Sequence, residues 1–239
     1  MSTYQPLRVR ADLAAGVAHA APWGIALDGL LAAQVWVEHK ATTHPTYRAL
    51  EQAEPPDLDL PLARCTPPAG PWHWAATCAH PAGPTAQDVH TWTGRVDHAD
   101  LELVATALPK TISARQGRYR ARRMPLLVTV CTSLTWHAIG DIEKIRALLE
   151  QVGSIGKKRS SGEGLVLAWH VDPAPELDAF TAAHLHPDGT LGRPTPDQCL
   201  AAAAAGRIID GGYATAGIRP PYMHPSRQHE LHLPAPVVP

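Results

Sequence analysis

The chain has 239 residues, with 21 Lys and Arg against 22 Asp and Glu and a formal net charge of -1; that length suffices for one large domain with its own apolar core and needs no covalent staples. Cys65, Cys78, Cys131 and Cys199 stand far apart without a C-x-x-C pair, which argues against a zinc knuckle or a disulfide framework and reads as buried thiols of a reducing cytosol. Met1 to Leu13 carries arginines among apolar residues, and no apolar run reaches the length of a signal peptide or a bilayer span, so a soluble cytoplasmic protein is expected.

In chain order, Leu7, Val9 and Ala11 alternate with Arg8, Arg10 and Asp12, the period-two pattern of a half-buried strand. Pro22 and Gly24 break the chain, and Leu27, Leu30, Leu31, Gln34, Val35 and Val37 recur at helical spacing, predicting a first helix over Leu27 to His39. Prolines and acids from Thr42 to Gly70 predict a long exposed connection, and Trp72, Trp74 and Ala76 predict a strand. Leu101 to Leu108 reads as strand or helix. Leu126 to Trp136 is continuously apolar or β-branched, as expected of a strand buried on both faces.

Asp141 is a good N-cap for a helix over Ile142 to Val152, in which Ile142, Ile145, Leu148, Leu149 and Val152 share one face and Gly153 supplies the C-terminal cap. Leu165 to Val171 is the returning strand. Two successive strand, helix, strand units predict an α+β, ferredoxin-like sandwich, the architecture of RNA-recognition folds. The core is expected over residues 1–172, with a basic insertion at about 109–124. Pro173 to Pro239, Pro-rich with an alanine run at Leu200 to Ala205 and turns at Asp188-Gly189 and Gly211-Gly212, is expected to be an extension packed on that core.

The near-zero net charge hides a split. Acid gathers at Glu51, Glu54, Asp57 and Asp59, whereas Val104 to Gly140 holds no Asp or Glu and carries Lys110, Arg115, Arg118, Arg120, Arg122 and Arg123; such asymmetry points to a one-sided anionic partner. Alternation at 118, 120 and 122 would line one face of an extended hairpin, and each phosphate neutralised there would release counterions. Tyr119 is placed to stack on an unpaired base. Trp23, Trp36, Trp72, Trp74, Trp136 and Trp169 are read as core residues.

The segment Gly153-Ser154-Ile155-Gly156-Lys157-Lys158-Arg159-Ser160-Ser161-Gly162-Glu163-Gly164 joins the last predicted helix to the last strand. Its glycines permit positive φ angles and close backbone approach, and its amides can form an anion-holding nest. Lys157, Lys158, Arg159, Ser160 and Ser161 supply charge and hydroxyls, the inventory of phosphate positioning rather than base reading. A nucleotide-binding loop follows a strand and opens a helix; here the order is reversed and Lys158 follows Gly156-Lys157, so ATP and NAD sites are rejected. The bland alternative is a solvated helix-to-strand turn.

A glycine-rich loop of the form G-x-G-K-x-R-S-x-G-x-G after a helix and before a strand resembles the signature of the RAMP superfamily of CRISPR proteins. Here Ile155 precedes Gly156, and Glu163 lies between the last two glycines. Leu7-Arg8-Val9 and Ile25-Ala26-Leu27-Asp28-Gly29-Leu30-Leu31-Ala32 are similar to the opening of the type IV, Cas5-like subunit that caps the five-prime handle of the guide RNA. The resemblance implies a non-catalytic subunit of an antiviral ribonucleoprotein that grips the handle phosphates and docks on the backbone subunit. Its implied partners are the guide RNA, the backbone and large subunits and, through the complex, target DNA, with no cofactor, metal or membrane. It also implies handle contacts on Gly153 to Gly164, above all Gly153, Gly156, Gly162 and Gly164 with the cations and serines, and on Arg115 to Arg123.

Some related members cleave precursor RNA, so a metal-independent endoribonuclease is the alternative, with His19 or His44 as candidate base. His44-Pro45-Thr46 and His224-Pro225-Ser226 match the H-x-[ST] pattern of two-histidine phosphoesterases but fall in Pro-bearing turns. His184-x-His186 and His229-x-x-His232 have ligand spacing but no carboxylate or cysteine at supporting distance in sequence, which predicts surface turns. No pattern selects one histidine as catalytic.

Overall fold

The computed structural model describes residues 4–19, 21–42, 54–95, 97–104, 113, 115–117, 119–201 and 208–237. Strand β1 (Gln5–Leu13) buries Leu7, Val9, Ala11 and Leu13 on one face and turns Arg8 and Arg10 outward, as its alternation requires. It lies at the centre of a four-stranded antiparallel sheet in the order β4-β7-β1-β8, formed with β4 (His80–Ala82), β7 (Ser133–Gly140) and β8 (Val166–Pro173). Val9 faces Trp136 on β7 and Val171 on β8. Helices α1 (Leu27–Thr42) and α3 (Ile142–Leu149) pack against each other, and Leu27, Leu31, Ile145 and Leu149 join the buried cluster around Leu7, Val9 and Trp136. Asp141 caps α3 by accepting from the Lys144 amide at 3.3 Å. The helix stops at Leu149 with Glu150 still right-handed, so Gly153 is not its cap, contrary to the expectation. The Val152 amide donates to the Leu149 carbonyl at 2.8 Å, closing the turn before the glycine is reached.

Other expectations are corrected by the strand pattern. The apolar run at Leu126 to Trp136 is two strands, β6 (Arg122–Val130) and β7, broken at Cys131 and Thr132. β6 does not enter the four-stranded sheet; it pairs with β5 (Ala86–Gly94) in a separate long hairpin, and Met124, Leu127 and Val130 are exposed on it. Arg122 to Met124 of the expected 109–124 insertion open β6, in a larger hairpin whose first strand starts at Ala86, and α2 (His98–Val104) settles the 101–108 segment as helix as far as it is described. The segment after Thr42 is not simply an exposed connection: Pro55, Leu60 and Leu62 are buried, and Leu62 bridges to Gly140. It leads into the short pair β2 (Arg64–Cys65) and β3 (His73–Trp74).

The C-terminal residues form α4 (Ala179–His184), α5 (Asp197–Ala201) and the hairpin β9 (Tyr213–Gly217) with β10 (Gln228–His232), and α4 covers β7 and β1. Buried ion pairs tie these residues to the rest. Arg193 donates to the carbonyls of Ala76 (2.7 Å) and Ile218 (2.8 Å) and lies 3.6 Å from the Asp28 carboxylate. Asp28 also accepts from the Tyr222 hydroxyl and from the Gly29 amide. The acidic stretch does similar work, because Asp57 meets Arg227 at 2.8 Å and Arg219 at 3.2 Å. No helix among the described residues is long and apolar enough to cross a membrane.

Candidate nucleic-acid interface

The glycine loop is positioned by the residues that follow β1. The amide of Lys157 donates to the Ala18 carbonyl at 2.8 Å and that of Gly164 to the Gly16 carbonyl at 3.0 Å. Val17, between those two acceptors, exchanges both backbone hydrogen bonds with Thr129 on β6 at 2.9 Å. One short segment therefore fastens the loop on one side and the foot of the β5–β6 hairpin on the other.

The glycines divide into two roles. A Cβ on Gly156 (φ +82°) would lie 2.5 Å from the Ala18 carbonyl oxygen, and one on Gly164 (φ +67°) 2.0 Å from that of Ile155. Their close approach is to protein backbone, not to a ligand. A methyl group added at Gly153 or Gly162 would meet nothing within 4 Å, and Gly162 adopts φ +89°. Gly164→Ala should destabilise the fold by about 2 kcal/mol, since both positive φ and steric overlap oppose it, while Gly153→Ala should leave the melting temperature nearly unchanged. Thermal unfolding of the two variants checks this.

Between the anchored glycines, Ile155 is buried, Lys158 takes the left-handed conformation at φ 57°, and Arg159–Ser161 form a short 3-10 turn. Lys157, Arg159 and Ser160 are exposed. The side chain of Ser161 lies outside the described residues.

The β5–β6 hairpin leans on this loop through two contacts that the sequence did not disclose. The Lys158 ammonium sits 3.3 Å from the centroid of the Trp92 ring, a cation-π contact. His90 Nδ1 lies 2.6 Å from Glu163 Oε1. His90, Trp92 and the partner positions of Arg122 and Met124 share one face of the hairpin by their alternation and register, so Arg122 is on the face that meets the loop and Arg123 on the other. Arg115, Arg120, Arg122 and Arg123 are exposed and Tyr119 is half-buried. Arg118 lies outside the described residues. Residues 115–117 and 119–121 are bends, a turn and irregular backbone, and the strand begins only at Arg122, so Arg120 is not part of an extended face with Arg122.

The hydrogen bond that His90 donates to Glu163, followed by that carboxylate's charge, raises the His90 pKa above 6.5, with Asp88 adding to it at 3.3 Å. A histidine whose folded value is raised gives its contact in full below the ordinary value and loses it as the pH climbs through the raised one. The His90–Glu163 contact should therefore be fully made below pH 6.5 and weaken as the pH climbs past it, leaving Lys158 on Trp92 as the remaining side-chain contact between loop and hairpin described above. Following the His90 ring by NMR, Glu163→Gln should return its titration toward 6.5.

The histidine motifs have structural roles in the described residues. His224 Nδ1 lies 2.7 Å from Ser226 Oγ and accepts from the Ser226 amide, capping the 3-10 turn Pro225–Arg227. Both ring nitrogens of His19 are buried without a partner, and burial lowers its pKa to about 4. His44 lies outside the described residues. His229 and His232 belong to a strand, not a surface turn, and His232 lies 2.5 Å from Asp210 and 2.7 Å from Asp197. Burial opposes its protonation, but these carboxylates outweigh it and raise its pKa.

His184 and His186 are not in surface turns either; both are buried. His184, at the end of α4, meets His73 of β3, Cys65 of β2 and Cys199 of α5, and one ligand atom from each lies within 4.8 Å of all the others. Cys65 and His73, more than a hundred residues before His184, together with Cys199 beyond it, thus supply the supporting ligands that local spacing lacked. The hydrogen bond from Cys199 pushes the Cys65 thiol far down, with those of His184 and His73 acting the same way against burial, while burial holds His73 neutral, at about 4.

No curated protein matches the chain. The family model described as CRISPR type IV associated protein Csf3 matches residues 5–229, a span that runs from the first strand of the sheet into the last hairpin and includes the loop, the long hairpin and the buried Cys/His cluster. The chain belongs to this family, that of the CRISPR type IV associated protein Csf3.

Proposed function

We propose that this type IV CRISPR-associated subunit is a Cas5-like RAMP protein that binds guide RNA without cleaving it, gripping the five-prime handle by its phosphates and docking on the backbone subunit. A sheet ordered β4-β7-β1-β8 with α1 and α3 on its apolar face has the arrangement expected of a ferredoxin-like core. In this reading residues 1–172 are that core, residues 173–239 an extension on it, and the large subunit and target DNA are reached through the complex.

The observation that carries the reading is the junction of loop and hairpin. Lys158 on Trp92 and His90 on Glu163 hold two cation-bearing elements together, while Lys157, Arg159, Ser160 and Arg122 remain exposed around the contact. Exposed cations and hydroxyls on a backbone pinned from behind suit phosphates, whose positions vary little with sequence. Gly153, Gly156, Gly162 and Gly164 shape the loop; Arg115, Tyr119 and Arg120 extend the surface beyond Arg122, Arg123 adds charge on the hairpin's other face, and Arg118 belongs to the same proposed RNA contacts.

Incubating the protein, purified without chelator, with repeat RNA in magnesium-free buffer tests the reading against its rival, a metal-independent processing nuclease. Salt-sensitive binding with intact RNA is the expected result. Cleavage that a His19→Ala variant abolishes would transfer the function to the nuclease, and absence of RNA affinity would remove both.

A further inference from the structure

The convergence of Cys65, His73, His184 and Cys199 carries an inference that does not depend on RNA binding. With Zn–S bonds of about 2.3 Å and Zn–N bonds of about 2.0–2.1 Å, a regular tetrahedron has edges of about 3.8 Å between sulfurs, about 3.6 Å between sulfur and nitrogen and about 3.4 Å between nitrogens. The corresponding separations here are 3.6 Å for Cys65 Sγ to Cys199 Sγ, 3.6 Å for Cys65 Sγ to His184 Nε2 and 3.0 Å for His73 Nε2 to His184 Nε2. These three separations lie within about 0.4 Å of such edges, and the remaining ones are all within 4.8 Å, so the four donors cluster closely enough to share a centre.

The surroundings agree. His184 Nδ1 lies 3.1 Å from the Phe180 carbonyl, an acceptor that fixes the proton on Nδ1 and leaves the Nε2 lone pair directed at the cluster, as carbonyl partners of metal-bound histidines do. The Phe180 ring stacks on the same imidazole with centroids 4.6 Å apart, setting its orientation. His73, His184 and Cys199 are buried and Cys65 is half-buried, which shields the group from water. Two thiolates and two neutral imidazoles around a divalent cation give zero net charge, the state least penalised in such a site.

We propose that Cys65, His73, His184 and Cys199 bind one zinc ion that fastens the β2–β3 pair to α4 and α5. The ion takes two thiolates, releasing their protons, and the Nε2 atoms of two neutral histidines; no redox step is involved. It is a structural site, since all four tetrahedral positions are filled by protein and none remains for water or substrate. Thiolate ligands also select zinc over magnesium or calcium, which prefer oxygen donors.

The test uses the full chain, purified under reducing conditions without added metal and analysed for metal content by mass spectrometry. About one zinc per chain is expected, falling to less than about a tenth in Cys65→Ser/Cys199→Ser, while Cys131→Ser, outside the cluster, should keep its zinc. Because the double variant can lose its fold along with its ion, the wild type is also stripped with chelator and titrated with Co(II). A tetrahedral d–d spectrum with a thiolate charge-transfer band, bleached by added zinc, is expected. A chain that carries no zinc and gives no tetrahedral cobalt spectrum overturns the proposal, as does recovery of Cys65 and Cys199 as a disulfide in reductant-treated protein.

Discussion

Replacing Lys157, Lys158 and Arg159 together by alanine should weaken binding of a guide RNA roughly 50-fold at about 150 mM salt, on the basis of three lost phosphate contacts on a single strand. The same count predicts that the slope of log affinity against log salt becomes shallower by about 2. The fold should tolerate the change. Lys157 and Arg159 are exposed, and the backbone bonds that anchor the loop come from residues whose amides and carbonyls survive substitution. Lys158 is the least innocent of the three, because it stands at φ 57° and leans on Trp92. Lys158→Gly, which relieves the backbone while removing the ammonium, separates these effects: its affinity should fall without a drop in melting temperature. Unchanged affinity and salt slope in the triple variant would retire the loop as an RNA surface.

The second large effect is on stability. Asp28→Ala should lower the unfolding free energy by about 3–5 kcal/mol, because it leaves a buried guanidinium without its carboxylate. For a chain of this size each kcal/mol moves the melting temperature by about 2–4 °C, so a fall of roughly 6–20 °C is expected. Arg193→Met alone should cost a comparable amount, since it strands Asp28, which is fully buried, together with the carbonyls of Ala76 and Ile218. The double variant should be less damaged than the sum of the two, as residues of one buried network do not add independently. Strict additivity in calorimetry would mean that Asp28 and Arg193 are neighbours without being partners.

That network also explains a motif. Asp28 stands in the Leu27-Asp28-Gly29-Leu30-Leu31 helix start, where it was legible only as part of a family resemblance. The tertiary structure gives it a local reason, namely the Arg193 and Tyr222 side chains that converge on it from the C-terminal residues.

What could be read without coordinates was whatever one buried face writes into a short stretch of chain. Leu7, Val9 and Ala11 on β1, and Ile142, Ile145 and Leu149 behind Asp141 on α3, have a period and a boundary. β5 has neither. Its residues are exposed along nearly the whole strand, so no apolar alternation marks it, and with it Trp92 and His90 were missed as partners of the loop. The same cause hid the division of β6 from β7: the break at Cys131 and Thr132 carries no Gly or Pro, and Met124, Leu127 and Val130 of β6 face solvent despite their type. The glycine loop was legible as a loop, and its exposed cations as charge; that Gly156 and Gly164 serve the backbone of residues 16–18 and 155 was not, because a close approach between distant segments leaves no spacing to count. Cys65, His73, His184 and Cys199 are the extreme case, since four ligands drawn from separate elements meet only after the fold has formed.

The Asp57 contacts with Arg219 and Arg227 have an electrical consequence. One carboxylate set against two guanidiniums leaves this trio one positive charge in excess, a local imbalance that the formal net charge of -1 averages away. An approaching polyanion senses the cations left uncompensated at the surface, so its encounter rate should track ionic strength as it would for a basic protein, even though an isoelectric measurement would class this one as neutral.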